Sequence, residues 1–243
     1  MSAIKGIVLL SGPTSGLGLE LLRLLGQQDV ALVVVGRKLE RIGDVLAAIS
    51  APVHRIEFDL AEAQCPEKTE QLEKALFEVL GKIGLDRLVF ASNAGIVEPI
   101  GQVGDVPVSG FNAPLAINLL APVAMTNACM RYVKSVNGRL FVLNVSSGAA
   151  TRPLPGWAAY CSSKAAARMY FDVLGCEAPA IVRIQHFDPG VLDTPMQAKI
   201  RAASEQQFPL VQQFSALKNE GRLKPPLEVA RQMELRIMEW LQQ

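Results

Sequence analysis

Tyr160 and Lys164 stand four residues apart in the stretch AAYCSSKAA, and a phenol and an ammonium at this spacing can move a proton together. On a helix, residues four apart lie on the same face, one turn from each other. A tyrosine hydroxyl has an ordinary pKa of about 10, and a nearby ammonium favours its phenolate form, which suits acid–base chemistry at a carbonyl oxygen. The same spacing also arises by chance as a pair on a helix surface, so the rest of the chain has to decide.

A glycine-rich turn, SGPTSGLG, lies between the first apolar run of the chain and its first amphipathic stretch. Its glycines follow the spacing G-x-x-x-G-x-G. Such glycines allow a tight turn and let backbone N–H groups approach a pyrophosphate at the N-terminus of the following helix. An ordinary glycine turn is the alternative, but the position at a first β–α junction favours nucleotide binding. The predicted cofactor-binding residues of this turn are Gly12, Thr14, Ser15, Gly16, Leu17 and Gly18.

The end of the second predicted strand bears on the type of nucleotide. Arg37 and Lys38 stand where an acidic side chain would hold the ribose 2′-hydroxyl of NAD. A guanidinium can pair with a 2′-phosphate and an acid would repel it, so the sequence favours NADP(H) over NAD(H); a solvated charge at a helix start is the alternative. Weaker candidates follow the third and fourth strands, where Asp59 could accept a hydrogen bond from adenine. These further cofactor-binding candidates are Asp59, Leu60, Asn93, Ala94 and Gly95.

Composition argues against several other classes of function. Half of the 243 residues are apolar, 19% are charged and the formal net charge is +1, so nothing favours nucleic acid or an acidic membrane surface as a partner. The four cysteines are scattered and there are only two histidines, so we expect reduced thiols and no metal site. The longest apolar region, from Pro114 to Met130, is interrupted by polar residues and a proline and predicts no membrane span. We expect a cytoplasmic protein.

Short apolar runs alternate with longer amphipathic stretches along the chain. The predicted strands are Ile7–Ser11, Val30–Gly36, Val53–Phe58, Asp86–Ser92, Gly138–Ser146 and Ile181–Phe187. The predicted helices are Gly16–Gln27, Lys38–Ile49, Pro66–Lys82, Phe111–Val136, Trp157–Ala178 and Pro226–Leu241. This alternation predicts an α/β fold, a doubly wound Rossmann-type parallel sheet of about six strands with helices on both faces. We expect residues 1–243 to form one domain, without a seventh strand.

Two serines end the fifth predicted strand, and Tyr160 lies 13 residues after the second of them, Ser147. The motifs in chain order are the glycine turn, NAG at 93–95, Asn118, Ser147, Tyr160, Lys164 and DPGVLDT at 188–194. In this order and spacing the chain resembles the short-chain dehydrogenase/reductase family over nearly its whole length. The resemblance implies that Tyr160 is the acid–base, that Lys164 lowers its pKa and holds the nicotinamide ribose, and that Ser147 binds the substrate oxygen. The choice of Ser147 over Ser146 rests on the family's spacing.

Asn118 lies inside an apolar helical run, LAINLLAP, and Pro122 follows four residues later. Proline has no N–H, so the carbonyl of Asn118 cannot make its usual helical hydrogen bond, and we expect the helix to kink there. The family resemblance implies a catalytic role, in which this carbonyl holds a water that extends the proton relay from the lysine. A simple buried kink is the alternative.

The loop DPGVLDTPM follows the sixth predicted strand, at the carboxyl edge of the sheet where ligands of such folds bind. The resemblance implies that its backbone faces the nicotinamide and that Thr194 bonds the carboxamide. The predicted cofactor contacts of the loop are Pro189, Gly190, Val191, Leu192 and Thr194. His186, two residues before the loop, is expected to be a satisfied histidine of the strand rather than a catalytic one.

The C-terminal half resembles the sepiapterin reductase and benzil (α-diketone) reductase branch of the family, on the stretches GWAAYCSSKAA, DPGVLDTPMQ and LKNEGRLKPP. The resemblance implies NADPH-dependent reduction of a ketone in a vicinal dicarbonyl. Two departures count against a sepiapterin reductase: the acidic pterin anchor near the C-terminus is missing, and Ser15 replaces an arginine that often contacts the 2′-phosphate. The predicted substrate pocket comprises Ser147, Pro155, Trp157, Leu192, Met196 and Phe208, although each apolar member could simply be core.

We therefore predict an NADP(H)-dependent carbonyl reductase acting on a small aromatic or vicinal-dicarbonyl ketone, or on the corresponding alcohol. Sepiapterin reductase-like reduction of a pterin side chain is one alternative. A non-catalytic NADP-sensing module is another, although the presence of all the catalytic residues argues against it. The resemblance implies self-association, and we expect a homodimer formed through the helices Phe111–Val136 and Trp157–Ala178.

Overall fold

Six parallel strands form the sheet of the described residues. The structure is a computed structural model and describes residues 3–243. The strands are β1 (Ile7–Ser11), β2 (Ala31–Gly36), β3 (Val53–Glu57), β4 (Arg87–Ser92), β5 (Arg139–Val145) and β6 (Val182–Phe187). Their order is β3-β2-β1-β4-β5-β6 and each neighbouring pair is parallel. The doubly wound sheet predicted from the alternating pattern is confirmed.

Helices connect the strands and cover both faces of the sheet. Within residues 3–243 they are α1 (Gly16–Leu25), α2 (Gly43–Ala48), α3 (Pro66–Ile83), α4 (Asn112–Leu115), α5 (Ala121–Ser135), α6 (Ala158–Glu177), α7 (Pro195–Arg201), α8 (Val211–Asn219) and α9 (Pro226–Leu241). The continuous helix expected over Lys38–Ile49 is replaced by a 3-10 turn, Leu39–Ile42, followed by the short α2. Lys38 adopts a left-handed conformation, with φ of 56°, and a right-handed helix cannot begin through such a residue.

The core lies in two layers, one on each face of the sheet. Side chains alternate along β1: Val8 and Leu10 pack with α1 and α9, and Ile7 and Leu9 pack with α3, α5 and α6. All four side chains are fully buried. Both faces of each inner strand are covered, which is why the strands read as continuous apolar runs rather than as alternating patterns.

The helical run before β5 is interrupted at the place where the sequence predicts a kink. A π-helical turn, Ala116–Leu120, joins α4 to α5, and the N–H of Ala121 bonds the carbonyl of Ala116 five residues back. The wider turn brings the chain past Pro122, which has no N–H for a regular ladder. The whole run, Val108–Ser135, is long and apolar enough to cross a membrane by length and composition, but it packs on α3 and the sheet, as core helices also do.

A third, smaller apolar cluster stands beyond the carboxyl ends of the strands. Trp157, at the start of α6, stacks on Phe208 with 4.6 Å between ring centroids and meets the edge of Phe214 at 5.4 Å. Ile200 of α7 and Val211 of α8 close the cluster. Consequently α7 and α8 are held as a small subdomain beside the edge of the sheet where ligands of this fold bind.

Candidate active site

A cavity of about 500 Å³ opens at the carboxyl edge of the sheet. Its wall takes in the glycine turn, the ends of β2, β4 and β5 with the segments that follow, and the loop after β6. The strand order reverses between β1 and β4, and a crevice at such a switch point is where doubly wound folds bind nucleotides. The size lies within the usual range of ligand pockets, roughly 300–1,000 Å³.

The glycine turn has the geometry that close approach by a ligand needs. Gly12 and Gly16 have φ of 67° and 53°, which side-chain-bearing residues rarely adopt. A Cβ on Gly18 would collide with the Gly12 carbonyl oxygen and with the amide of Asn93. Glycine at these positions therefore lets the turn close against the following helix α1, whose first residues line the cavity. The N-terminus of such a helix is where pyrophosphate binds in folds of this kind.

Asn93 locks the glycine turn to the end of β4. Its side-chain nitrogen donates to the carbonyls of Ser11 and Gly12, both at 3.0 Å. The Ser11 hydroxyl accepts from the backbone N–H groups of Asn93 and Ala94, at 3.0 and 3.1 Å. Asn93, Ala94 and Gly95 all line the cavity, as the sequence predicts, but the side chain of Asn93 holds the fold of the turn.

Arg37 and Asp59, which the sequence assigns to different parts of the nucleotide, pair with each other. The guanidinium of Arg37 lies 3.2 Å from the Asp59 carboxylate, whose other oxygen accepts from the N–H of Ala61 at 3.0 Å. Arg37 and Asp59 line the cavity, and the Arg37 side chain is 69% exposed, so part of its charge remains accessible. Lys38 does not line the cavity, because its left-handed backbone turns the residue aside and its N–H bonds Glu57 at 3.0 Å.

Lys164 and Tyr160 lie on the cavity-facing side of α6 and are both buried. The Lys164 ammonium donates to the carbonyl of Val145 at 2.9 Å and lies 6.0 Å from the centroid of the Tyr160 ring. Burial lowers the pKa of Lys164 to about 8. The helical spacing thus places both groups at one site, as the sequence predicts.

The pKa of Tyr160 is governed mainly by burial of its side chain. Burial raises it to about 12; the Ser147 hydroxyl acts in the opposite direction, and the Asp188 carboxylate raises it further. Desolvation of the phenolate is the largest of these influences on the pKa of Tyr160. The expected effect of Lys164 on this pKa stays a prediction.

Ser147 stands at the end of β5, facing the tyrosine. Its hydroxyl accepts from the N–H of Ala149 at 3.2 Å and so caps a 3-10 turn, Gly148–Ala150. Ser146 lines the same cavity, and its buried hydroxyl has no hydrogen-bond partner within residues 3–243. Both serines therefore have hydroxyl capacity left for a ligand.

Asn118 lies behind the cavity wall rather than in it. Its side-chain oxygen accepts from the N–H of Ile96 at 2.9 Å, and its nitrogen donates to the Ile96 carbonyl at 3.0 Å and to the Ser163 hydroxyl at 2.9 Å. A Cβ on Gly95 would lie 3.3 Å from the Asn118 oxygen and 3.5 Å from the Lys164 nitrogen. The side chain thus ties the loop after β4 to α6, and the role expected of its backbone carbonyl stays a prediction.

The loop after β6 closes the cavity against the glycine turn. Asp188 accepts from the N–H of Gly190 at 2.9 Å, and Gly190 has φ of 72°. Thr194 caps α7 through its hydroxyl, and its methyl group would lie 3.2 Å from a Cβ on Gly16. The predicted contacts Pro189, Gly190, Val191, Leu192 and Thr194 all line the cavity. His186 instead bonds Asp172 of α6 at 2.8 Å and Asn144 at 3.0 Å, a satisfied strand histidine as expected.

Two members of the predicted substrate pocket do not reach the cavity. Trp157, Leu192 and Met196 line it, together with Ser147. Phe208 is fully buried behind Trp157, on which it stacks. Pro155 is exposed and does not line the cavity, and it precedes Gly156, whose φ is 86°.

The cavity also takes in side chains that the sequence did not indicate. Among them are Glu98, Arg152, Leu154, Lys199 and Phe214. Glu98 pairs with Lys199 at 2.5 Å, which links the segment after β4 to α7 across the cavity rim. Arg152 follows Ser147 by five residues, close enough in the chain for its charge to have been noticed. The contributions of Lys199 and Phe214 depend on how α7 and α8 fold back, which no local pattern indicates.

A doubly wound parallel sheet with a glycine turn at its first β–α junction defines a dinucleotide-binding class of α/β proteins. The family model described as short chain dehydrogenase matches residues 6–205. The chain therefore belongs to the short-chain dehydrogenase family, oxidoreductases that use NAD(P)(H), as the motifs in the sequence predict.

Relatives of known name lie in the branch that the sequence resembles. The chain is 36% identical to a benzil reductase ((S)-benzoin forming) of Bacillus subtilis (strain 168) over 163 residues, 65% of this chain and 67% of the relative. It is 29% identical to the sepiapterin reductase of Bos taurus over 227 residues, 90% of this chain and 84% of the relative. The crystal structure of the KRED1-Pglu enzyme matches with a TM-score of 0.80 at 26% identity, covering 96% of this chain and 93% of the other.

Proposed function

We propose that this protein is an NADP(H)-dependent carbonyl reductase whose substrates are small aromatic or vicinal-dicarbonyl ketones. The observation that carries the proposal is the position of Ser147, Tyr160 and Lys164 in the wall of one cavity. The same cavity is also lined by the glycine turn and by the aromatic side chains of Trp157 and Phe214. Benzil reductases among the relatives support an aromatic diketone as substrate.

The residues of the cavity fit a nicotinamide dinucleotide. The glycine turn leaves room where any Cβ would collide, and Lys164 uses one of its three N–H groups on Val145, which leaves two for ribose hydroxyls. Such a coenzyme supplies the hydride when a ketone is reduced and accepts it in the reverse direction. Its phosphates would lie at Gly12–Gly18 and its nicotinamide at the loop after β6, beside Tyr160.

The protonation states of the two catalytic groups suit reduction. A Tyr160 pKa of about 12 keeps the phenol protonated at neutral pH, so it can donate a proton to the oxygen of a ketone that receives a hydride. The Ser147 hydroxyl, facing the same point, would bind that oxygen and orient it. A Lys164 pKa of about 8 leaves this residue mostly charged at pH 7, where it favours the phenolate left behind.

Replacement of Tyr160 by phenylalanine tests the proposed reaction. Consumption of NADPH with benzil, 1-phenyl-1,2-propanedione and sepiapterin would be followed through the absorbance of the reduced coenzyme at about 340 nm. Tyr160→Phe should lower kcat/KM by about 100-fold or more, since a positioned proton donor contributes 10²–10⁴-fold. Tyr170→Phe, on the same helix but outside the cavity wall, should retain near wild-type turnover.

Two results would contradict the proposal in different ways. Wild-type turnover by Tyr160→Phe would remove the proposed proton donor. Nucleotide binding by the wild type, seen by calorimetry, without turnover of any ketone or alcohol would favour the alternative of a non-catalytic nucleotide sensor.

The preference for NADP(H) rests on Arg37. Its guanidinium is exposed at the end of β2 and can pair with a 2′-phosphate while it stays beside Asp59. Arg37→Gln should raise the KM for NADPH about 10- to 100-fold and change the KM for NADH less than about threefold, because charge-assisted hydrogen bonds contribute roughly 1.5–3 kcal/mol. Arg41→Gln, four residues further on, is the matched control, and equal effects on both coenzymes in Arg37→Gln would contradict the assignment.

A further inference from the structure

We propose that Arg152 makes the active site selective for ketones that carry a carboxylate beside the carbonyl, namely aryl 2-oxo acids. The inference rests on the proposed carbonyl reductase function and names a substrate class for it. In such a reaction the ketone carbon gains a hydride from the nicotinamide coenzyme, its oxygen gains the proton of Tyr160, and the carboxylate is unchanged in the 2-hydroxy acid product.

Arg152 is held next to the substrate-binding serine. Its backbone N–H bonds the Gly148 carbonyl at 3.0 Å, which continues the turn that Ser147 caps. Its own carbonyl accepts from the Cys161 thiol at 3.8 Å, on the helix of Tyr160. The side chain folds back over the turn, since a Cβ on Gly148 would collide with a terminal guanidinium nitrogen. The guanidinium therefore lies against the residue adjacent to Ser147 and lines the cavity.

Each of the other charged side chains of the cavity wall has at least one partner within the protein. Glu98 and Lys199 pair at the rim, and Arg37 pairs with Asp59 at the far end. Two further charges have a backbone partner: Asp188 accepts from the N–H of Gly190, and the Lys164 ammonium donates to the Val145 carbonyl.

Arg152 differs from these groups. Within residues 3–243 its guanidinium makes neither an ion pair nor a hydrogen bond. Arg152 is exposed at the substrate side of the cavity, so its guanidinium is free to bind an anionic ligand.

The neighbouring part of the cavity wall indicates that the substrate also carries an aromatic ring. Trp157 and Phe214 present aromatic surface, and Leu154, which lies between Arg152 and Trp157 in the chain, also lines the cavity. An arylglyoxylate would place its ring on this surface and its ketone at Ser147. Its carboxylate would then reach the planar guanidinium fork, which binds carboxylates through two parallel hydrogen bonds.

A matched pair of substrates isolates the carboxylate. Phenylglyoxylate and methyl phenylglyoxylate share the ring and the ketone, and only the first is anionic. Steady-state kinetics with NADPH would compare wild type, Arg152→Gln, Arg152→Lys and the control Arg236→Gln, an exposed arginine on α9. Thermal unfolding would show that each variant is folded.

Arg152→Gln should lower kcat/KM for phenylglyoxylate by about 10- to 100-fold, mainly through KM, and change that for the methyl ester by less than about twofold. The loss of kcat/KM for phenylglyoxylate should be smaller in Arg152→Lys than in Arg152→Gln, because a lysine keeps the positive charge but not the planar guanidinium fork. Arg236→Gln should match the wild type with both substrates. Added salt should raise the KM for the acid and leave the KM for the ester unchanged.

Three outcomes would overturn the inference. An equal loss with acid and ester would mean that Arg152 only shapes the turn, and no loss with either would remove it from the substrate site. A wild type that reduces the ester but not the acid contradicts the selectivity while leaving the proposed reductase intact. A wild type that reduces neither of these compounds nor benzil contradicts the proposed function itself.

Discussion

Lys164 is a buried cation, and the site keeps it at a cost in stability. Its ordinary pKa of 10.5 falls to about 8 because burial disfavours the ammonium. The unfolded chain therefore binds this proton more tightly than the folded protein does. Burial of the ammonium destabilises the fold in full below about pH 8, and this penalty disappears as the pH rises through 10.5.

Replacement of Lys164 by methionine should expose this cost. The change in the pKa of Lys164 from 10.5 to about 8 corresponds to a free energy of about 3 kcal/mol, since each pKa unit is worth about 1.4 kcal/mol. The free energy of unfolding of Lys164→Met minus that of the wild type should therefore be about 3 kcal/mol larger at pH 7 than above pH 10.5. Urea unfolding at the two pH values measures the difference; a constant difference would contradict the lowered pKa. Activity should be lost in the variant.

Spacing along the chain predicts which groups react, but it does not predict the environment of those groups. Ser147, Tyr160 and Lys164 reach one cavity because a strand end and one helical turn have fixed geometry. The pKa of Tyr160 and the position of Arg152 depend on burial and on how a loop folds back, and neither follows from spacing. For the same reason Phe208 was expected in the pocket, although Trp157 stands in front of it.

At the scale of elements, the strands are predictable because each is a short apolar run buried on both faces. All six lie within one residue of their predicted bounds. The segment after β2 is not predictable in this way. The pattern of Lys38–Ile49 is helical, but the left-handed conformation of Lys38 delays the start of the helix. A left-handed backbone conformation at one residue, whose N–H bonds Glu57, here overrides helical propensity.

The π-helical turn between α4 and α5 is the element-level counterpart of the predicted kink. Pro122 announces an interruption in the sequence, but the form of that interruption depends on what the turn packs against. Asn118 lies in the turn and ties it to the loop after β4 and to α6. The widened turn thus connects the segments that hold Gly95 and Lys164, and its sequence signal is only a proline.

At the scale of the whole molecule, α5 and α6 leave apolar side chains on the surface. Met169 is 62% exposed and Val173 46%, one turn apart on α6, and Leu120 beside α5 is 37% exposed. Exposed apolar groups gathered on neighbouring helices mark interaction surfaces. A homodimer through these two helices, expected from the sequence, remains a prediction that this surface supports.

Charge placed on that surface should produce monomers. We expect the wild type to sediment as a dimer and the double variant Met169→Glu/Val173→Glu to sediment as a monomer, because like charges would face each other across the interface. Leu235→Glu, at a 68% exposed position on α9, is the control and should remain dimeric. A monomeric wild type, or a double variant that stays dimeric, would place the interface elsewhere or remove it.

The aromatic stack at the cavity gives the molecule its own optical probe. The chain has two tryptophans, Trp157 in the cavity wall and Trp240 stacked on Phe141 at 5.4 Å, outside that wall. A reduced nicotinamide absorbs in the region where indole fluoresces, so emission from Trp157 would be quenched by energy transfer when the coenzyme binds beside it. With Trp240 changed to phenylalanine, the remaining emission would come from the active site alone, and binding could be followed without any turnover or added label.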